Sequence, residues 1–210
     1  MARAAPLTRL LFGIRVPIAT EQGHWDFSTL ALFDELRRRS KSGQRVLEIG
    51  TGEAGTLSIA LARLVPGRYL ALDIAEEALT SARRVAEANG VVVEFAHSDL
   101  LSSVPEDRSF DLTFFNPPYL PSTLSAQWKT LGEPSRVWNG GEDGLDVIRR
   151  FWTAAGRRPV SLGLVLIGFN RHTVAEADVV ALAREAGFTH VGSRKAIHPG
   201  TVLAFSGDSS

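Results

Sequence analysis

The sequence contains no cysteine, which removes disulfides, thiolate metal sites and cysteine nucleophiles from consideration. It also lacks an excess of either charge. Lys+Arg and Asp+Glu number 23 each, so no overall field draws the chain onto nucleic acid or a membrane surface. No apolar run approaches the roughly 20 residues that a bilayer-spanning helix needs. The Leu10-Leu11-Phe12 cluster is cut short by Arg9 and Arg15, too brief for a signal-peptide core, so the expected location is the cytoplasm. His24, His97, His172, His190 and His198 are scattered without metal-ligand spacing, and no metal is expected. There is no internal repeat and no low-complexity tract. What remains is 210 residues, 44% hydrophobic and 22% charged, ordinary values for one globular domain with a sizeable core.

Apolar periodicity divides the chain. Leu7, Leu10, Leu11 and Ile14 fall at helical spacing, and a second helical pattern, Leu30 to Leu36, closes in Arg37-Arg38-Arg39, with Ser28 or Asp26 available as its cap. Buried strands are expected at residues 45–49, 68–72, 91–96, 110–115 and 161–169. Helices are expected at 57–64, 76–89, 145–155 and 175–186, and residues 120–144 read as a long irregular segment. Residues 190–196 and 201–205 pair around His198-Pro199-Gly200 as a hairpin. This alternation predicts an α/β fold, a doubly wound, Rossmann-like, mainly parallel sheet of seven strands with a C-terminal antiparallel hairpin. We divide it into a short N-terminal helical region (1–44), a main α/β domain (45–205) and a frayed tail (206–210).

Gly50-x-Gly52-x-x-Gly55 follows the first strand and opens a helix, the context in which a glycine loop lets backbone approach a nucleotide. Asp73 ends the next strand, where it could accept both ribose hydroxyls. To this point a nicotinamide oxidoreductase fits equally. Glu48, two residues before the first glycine, weighs against a pyrophosphate there by Coulomb repulsion. It suits a ligand with an amino group, such as S-adenosylmethionine (SAM). Asp99, after the third strand, lies where an adenine amino group would donate.

The fourth strand stops at Asn116-Pro117-Pro118-Tyr119, because prolines cannot donate to a sheet ladder. The carboxyl edge of an open α/β sheet is where ligands bind. The cluster reads either as a stiff holder for a flat polar group or as a plain strand-ending turn.

Residues 46–52, Asp73, Ser98-Asp99-Leu100 and Asn116-Pro117-Pro118-Tyr119 resemble the motifs of class I SAM-dependent methyltransferases. The Asn-Pro-Pro-Tyr form is that of enzymes methylating a planar nitrogen. Within that group, the stretch Trp138 to Leu145 makes the chain most similar to the HemK-type enzymes, which methylate a glutamine of translation release factors. The resemblance covers about residues 45–205. It implies SAM as cofactor, with Thr29, Glu48, Gly50, Thr51, Gly52, Asp73, Ile74, Asp99, Leu100 and Asn116 around it. It implies Asn116, Pro117 and Tyr119 as the catalytic group, and Pro118, Tyr119 and Trp138 against the substrate.

Two departures stand out: Ala54 occupies the family's usual third glycine position, with Gly55 one step later, and only about 44 residues precede the first strand, where bacterial release-factor enzymes carry a larger helical domain. That resembles the short archaeal and eukaryotic type, in which Thr29 corresponds to a Thr near the cofactor, with Ser28 in place of the acid that usually precedes it. The expected function is N-methylation of a protein glutamine, with a nucleobase amino group or a small-molecule nitrogen as the alternative acceptor. A nicotinamide oxidoreductase and a non-catalytic methyltransferase-like subunit are the rivals from other classes. A release-factor-like protein or a small molecule is the expected partner, nucleic acid less so and membrane not at all. An activating partner subunit is left open. Asn170, Arg171 and Trp128 are further candidates for substrate contact or simple packing.

Overall fold

The computed structural model describes residues 5–17, 25–129, 138–196 and 198–207; His24 lies outside them. In chain order the elements are α1 (Ala5–Phe12), α2 (Phe27–Arg39), β1 (Arg45–Ile49), α3 (Thr56–Leu64), β2 (Arg68–Asp73) and α4 (Glu76–Asn89). Then come β3 (Glu94–His97), β4 (Leu112–Phe115), α5 (Ser122–Lys129), α6 (Asp146–Ala155), β5 (Leu164–Asn170), α7 (Glu176–Glu185), β6 (Phe188–Lys195) and β7 (Gly200–Gly207). The seven strands form one sheet in the order β3-β2-β1-β4-β5-β7-β6. All neighbours are parallel except β7, which runs antiparallel to both β5 and β6. The strand order reverses between β1 and β4, the switch point at which such sheets open a crevice at their carboxyl ends.

Alternation along each strand supplies two cores. Leu47, Ile49, Phe115, Val165, Ile167 and Phe205 face α6 and α7, against Ile148, Phe151, Trp152 and Val179. Val46, Leu112, Phe114, Leu166, Val202 and Ala204 face α2, α3 and α4, against Leu32, Leu36, Ile59, Leu61 and Val85. Trp152 centres the first core, its ring 4.9 Å from those of Phe188 and Phe205 and 5.0 Å from Phe151. Full burial of each such ring is worth about 1.5–3 kcal/mol. In the N-terminal segment Phe12 and Ile14 are buried and join Trp25 and Phe33 in the second core.

Element boundaries depart from the sequence reading for local reasons. The third strand begins at Glu94 rather than at 91, because the Val91 amide is spent on the Ala86 carbonyl beyond the left-handed Gly90 that ends α4. The fourth begins at Leu112; Asp111 ahead of it bends to receive the Arg45 amide (2.7 Å) and guanidinium (3.0 Å). The fifth begins at Leu164, after Gly163 at φ +66°. The segment read as irregular contains a helix, α5, whose first turn closes on the Pro121 carbonyl through the Leu124 and Ser125 amides.

Candidate active site

A cleft of about 340 Å³ opens over the carboxyl ends of β1, β2, β3 and β4, and the residues that the resemblance assigns to cofactor, catalysis and substrate border it, Trp138 included; Asn170 and Arg171 do not. That volume lies at the small end of the range for ligand pockets, roughly 300–1,000 Å³.

One half of the cleft is built from consecutive strand–loop–helix units. Gly50, Gly52 and Gly55 all take positive φ. Gly55, at φ +53°, is the N-cap of α3, and a Cβ there would stand 2.9 Å from Ile59 and 3.3 Å from Ala82 of α4. The glycine that arrives one position late is thus needed for the turn and for packing two helices, while Ala54 is buried beside it. Glu48 shares the α3 face of β1 and is 3% exposed. The Thr51 hydroxyl donates to its Oε2 at 2.7 Å. Burial pushes its carboxyl up to about 7, against the hydrogen bond from Thr51 and helped by the nearby Asp73 charge. Asp73 accepts from the Gly52 amide at 2.8 Å and, on its other oxygen, from the Ala75 amide at 3.0 Å. A lone pair on each oxygen remains for a diol. Beyond β3, Leu100 sits at φ +53°, the non-glycine residue with positive φ among the described residues. Such strain costs of order 1–3 kcal/mol and concentrates at ligand clamps. It is held by the Ser98 hydroxyl, which donates to the Leu100 carbonyl at 2.9 Å.

The other half is assembled from remote pieces. Asn116 follows β4, and its carboxamide is gripped by the first turn of α2. Nδ2 donates to Thr29 Oγ1 at 3.0 Å, and Oδ1 accepts from the Ser28 hydroxyl at 2.7 Å. The buried Tyr119 donates its phenol proton to Asp26, the N-cap of α2. Behind the Pro118-Tyr119 backbone runs the stretch 138–145. Leu120 exchanges hydrogen bonds with Trp138 and Gly140, both 2.8 Å. A Cβ on Gly140 would stand 2.8 Å from the Pro118 carbonyl, and one on Gly144, at φ +81°, 2.5 Å from that of Tyr119. Only glycine lets this brace lie so close.

Three contributors carry no sequence signal of a place in the site. Asp26 is visible only as a cap. Val147 and Arg150 line the cleft from α6, one turn apart, and Arg150 bonds Asp99 at 2.5 Å; from the sequence Arg150 is indistinguishable from a solvated helix charge. Asn170 and Arg171 are structural: the first accepts from the His172 amide at 2.9 Å, and the second donates to the His198 carbonyl at 2.9 Å, tying down the hairpin turn. The Trp128 side chain lies outside the described residues. Among the described residues no group of three or more His, Asp or Glu converges as a metal cluster, and no helix is long and apolar enough to cross a membrane.

The donor set fits an adenosyl ligand bearing an amino group. The fully buried Glu48 is a carboxyl that a pyrophosphate would repel and an ammonium would ionise. Comparison with known proteins agrees. The sequence is 35% identical over 162 residues to a release factor glutamine methyltransferase of Deinococcus radiodurans, covering 76% of this chain and 56% of that protein. It is 38% identical over 106 residues to a putative protein N5-glutamine methyltransferase of Methanocaldococcus jannaschii, covering 50% of this chain and 51% of that one. The chain thus spans about half the length of these curated relatives. The fold superposes on a methyltransferase of Pyrococcus furiosus with a TM-score of 0.69, at 18% identity, covering 96% and 92% of the two chains. Residues 21–129 match the family described as methyltransferase small domain, and this chain belongs to that family.

Proposed function

We propose that this chain is a SAM-dependent N-methyltransferase whose acceptor is the side-chain amide of a protein glutamine, on a translation release factor or a protein like it. The observation that carries the reading is the continuity of the cleft, from buried Glu48 and Asp73 at one end to the Asn116-Pro117-Pro118-Tyr119 cluster at the other. The names of the relatives support the acceptor class.

The cofactor, when bound, supplies a sulfonium methyl group that is already electrophilic. Glu48 would hold its amino group, Asp73 its ribose hydroxyls, and Asp99 with the Leu100 backbone its adenine. Thr29, Gly50, Thr51, Gly52 and Ile74 complete the wall. The remaining task is alignment of a weak nucleophile, which can supply about 7–11 kcal/mol. Asn116 Oδ1 keeps one lone pair beyond the one given to Ser28. That lone pair and the Pro117 carbonyl would accept the two N–H hydrogens of the acceptor amide, favouring the positive charge that grows on its nitrogen. The Tyr119 ring would cover the amide plane, with Pro118 and Trp138 enclosing it. The new C–N bond would form as the methyl's bond to sulfur breaks, the thioether S-adenosylhomocysteine leaving with that electron pair, and the acidic methylated nitrogen would then give its proton to water, so no strong base is needed.

The test is incubation of the chain with SAM and a glutamine-containing release-factor peptide, followed by fragment mass spectrometry. A single methyl on the glutamine amide is the expected result. Transfer to a nucleobase or small amine instead, with the peptide untouched, would overturn the acceptor.

A further inference from the structure

The N-cap of α2 does more than start a helix. Asp26 Oδ1 accepts from the Ser28 and Thr29 amides, both at 3.0 Å. Capping requires no more than that one oxygen, and serine would serve as well as aspartate. Oδ2 is left over, and it receives the phenol of Tyr119, 93 positions along the chain. The same turn grips the Asn116 carboxamide. The Thr29 hydroxyl donates to Asp26 Oδ1 at 3.2 Å and accepts from the Asp26 amide at 3.2 Å. With its one proton committed to a carboxylate, it can only accept from Asn116, and it does so from Nδ2 at 3.0 Å. The amide is thereby prevented from flipping, and Oδ1 faces Ser28. The Ser28 hydroxyl stands 2.5 Å from Asp26 Oδ1 and 2.7 Å from Asn116 Oδ1, one proton between two acceptors.

We infer that Asp26 is a positioning residue for methyl transfer: its two oxygens fix the Tyr119 ring and, through Thr29 and Ser28, the orientation of the Asn116 carboxamide. This rests on the acceptor role proposed above for Asn116 and Tyr119. Asp26 touches neither the acceptor nor the cofactor; it acts on both acceptor-facing groups from α2. A carboxylate is suited to this because it is acceptor-only, so the Thr29 and Tyr119 hydroxyls, which donate to no other acceptor among the described residues, have their proton direction decided. A lost link of this kind leaves cofactor affinity alone and disperses the reacting geometry, which is felt in kcat.

The experiment uses Asp26→Ser, which keeps a helix cap but is too short to reach Tyr119, together with Tyr119→Phe and the double variant. Asp26→Ser lowers kcat by about tenfold or more, with the SAM Kd within about twofold of the parent. The double variant loses no more than the worse single, because both cut the same link. A purely structural role would instead give parallel losses of melting temperature, SAM affinity and turnover, and additive singles. A second readout needs no acceptor. The chain has 2 tyrosines, Tyr69 and Tyr119, so fluorotyrosine labelling gives two fluorine NMR signals. Asp26→Ser moves the Tyr119 signal and leaves that of Tyr69 in place. An unmoved Tyr119 signal, or an unchanged kcat, overturns the inference. Failure of the glutamine reading shows separately, in the wild-type chain, as an unmethylated peptide.

Discussion

The two halves of the cleft are built on different principles. In the cofactor half, Glu48 and Asp73 are each held by their own neighbourhood: Thr51 is 3 positions from Glu48, and Gly52 is 21 from Asp73, across one βαβ unit. In the acceptor half, the defining bonds join residues 87, 88 and 93 positions apart, bringing the first turn of α2 onto the end of β4. A ligand half made of local units forms wherever those units form. A half made of distant pieces exists only when the whole sheet has assembled, and it can fail without damaging its neighbour.

Variants in the acceptor half should therefore separate turnover from cofactor binding. Asn116→Ala removes the proposed acceptor of the N–H hydrogens, and its kcat should fall by about 10²–10³-fold, the loss typical of one preorganised electrostatic contact. Calorimetry on the same variant should find SAM binding nearly intact; equal loss of both would end the role given to Asn116. Gly144→Ala drives a Cβ against the Tyr119 carbonyl at a positive φ. It should cost about 2 kcal/mol or more in denaturant unfolding and displace the Asn-Pro-Pro-Tyr loop. Its SAM affinity should be the less affected quantity, and a normal unfolding midpoint would show that the brace is not needed.

The cofactor half is better probed by pH. Glu48 is pushed up by burial from 4.5 to about 7, so between those values the folded chain keeps a proton that the unfolded chain has lost. Stability should fall as pH rises through that window and level off above it, by up to about 3 kcal/mol. Melting curves across that range should show the slope in the ligand-free protein, and Glu48→Gln should abolish it while weakening SAM binding. A positively charged amino group beside Glu48 favours the carboxylate, so calorimetry in buffers of different ionisation enthalpy should detect proton release on binding near neutral pH. The smallest effect is expected at Arg150→Ala. Its pair with Asp99 is about half exposed on both sides, and removing it should change stability by less than about 1 kcal/mol.

The same contrast governs what could be read from the sequence. Glycines after a strand, an acid at each strand end and two prolines closing a fourth strand are local signals, and they lead to the sheet, its switch point and the residues around the cleft. The helix α5 carries too weak an apolar period to be seen, and Val91 reads as strand although a helix cap claims its amide. Asp26 offers the sequence only its capping half, because the Tyr119 bond depends on sheet closure. Arg150 reads as solvent-facing because nothing local says that α6 leans over Asp99.

The measurement that bears most directly on this account is a parallel calorimetric titration of the purified chain with SAM, S-adenosylhomocysteine and NAD. The account predicts binding of both adenosyl ligands and none of NAD. Binding of NAD alone would contradict it, because the buried carboxyl of Glu48 and the neighbouring Asn-Pro-Pro-Tyr cluster would then have been assigned to the wrong chemistry.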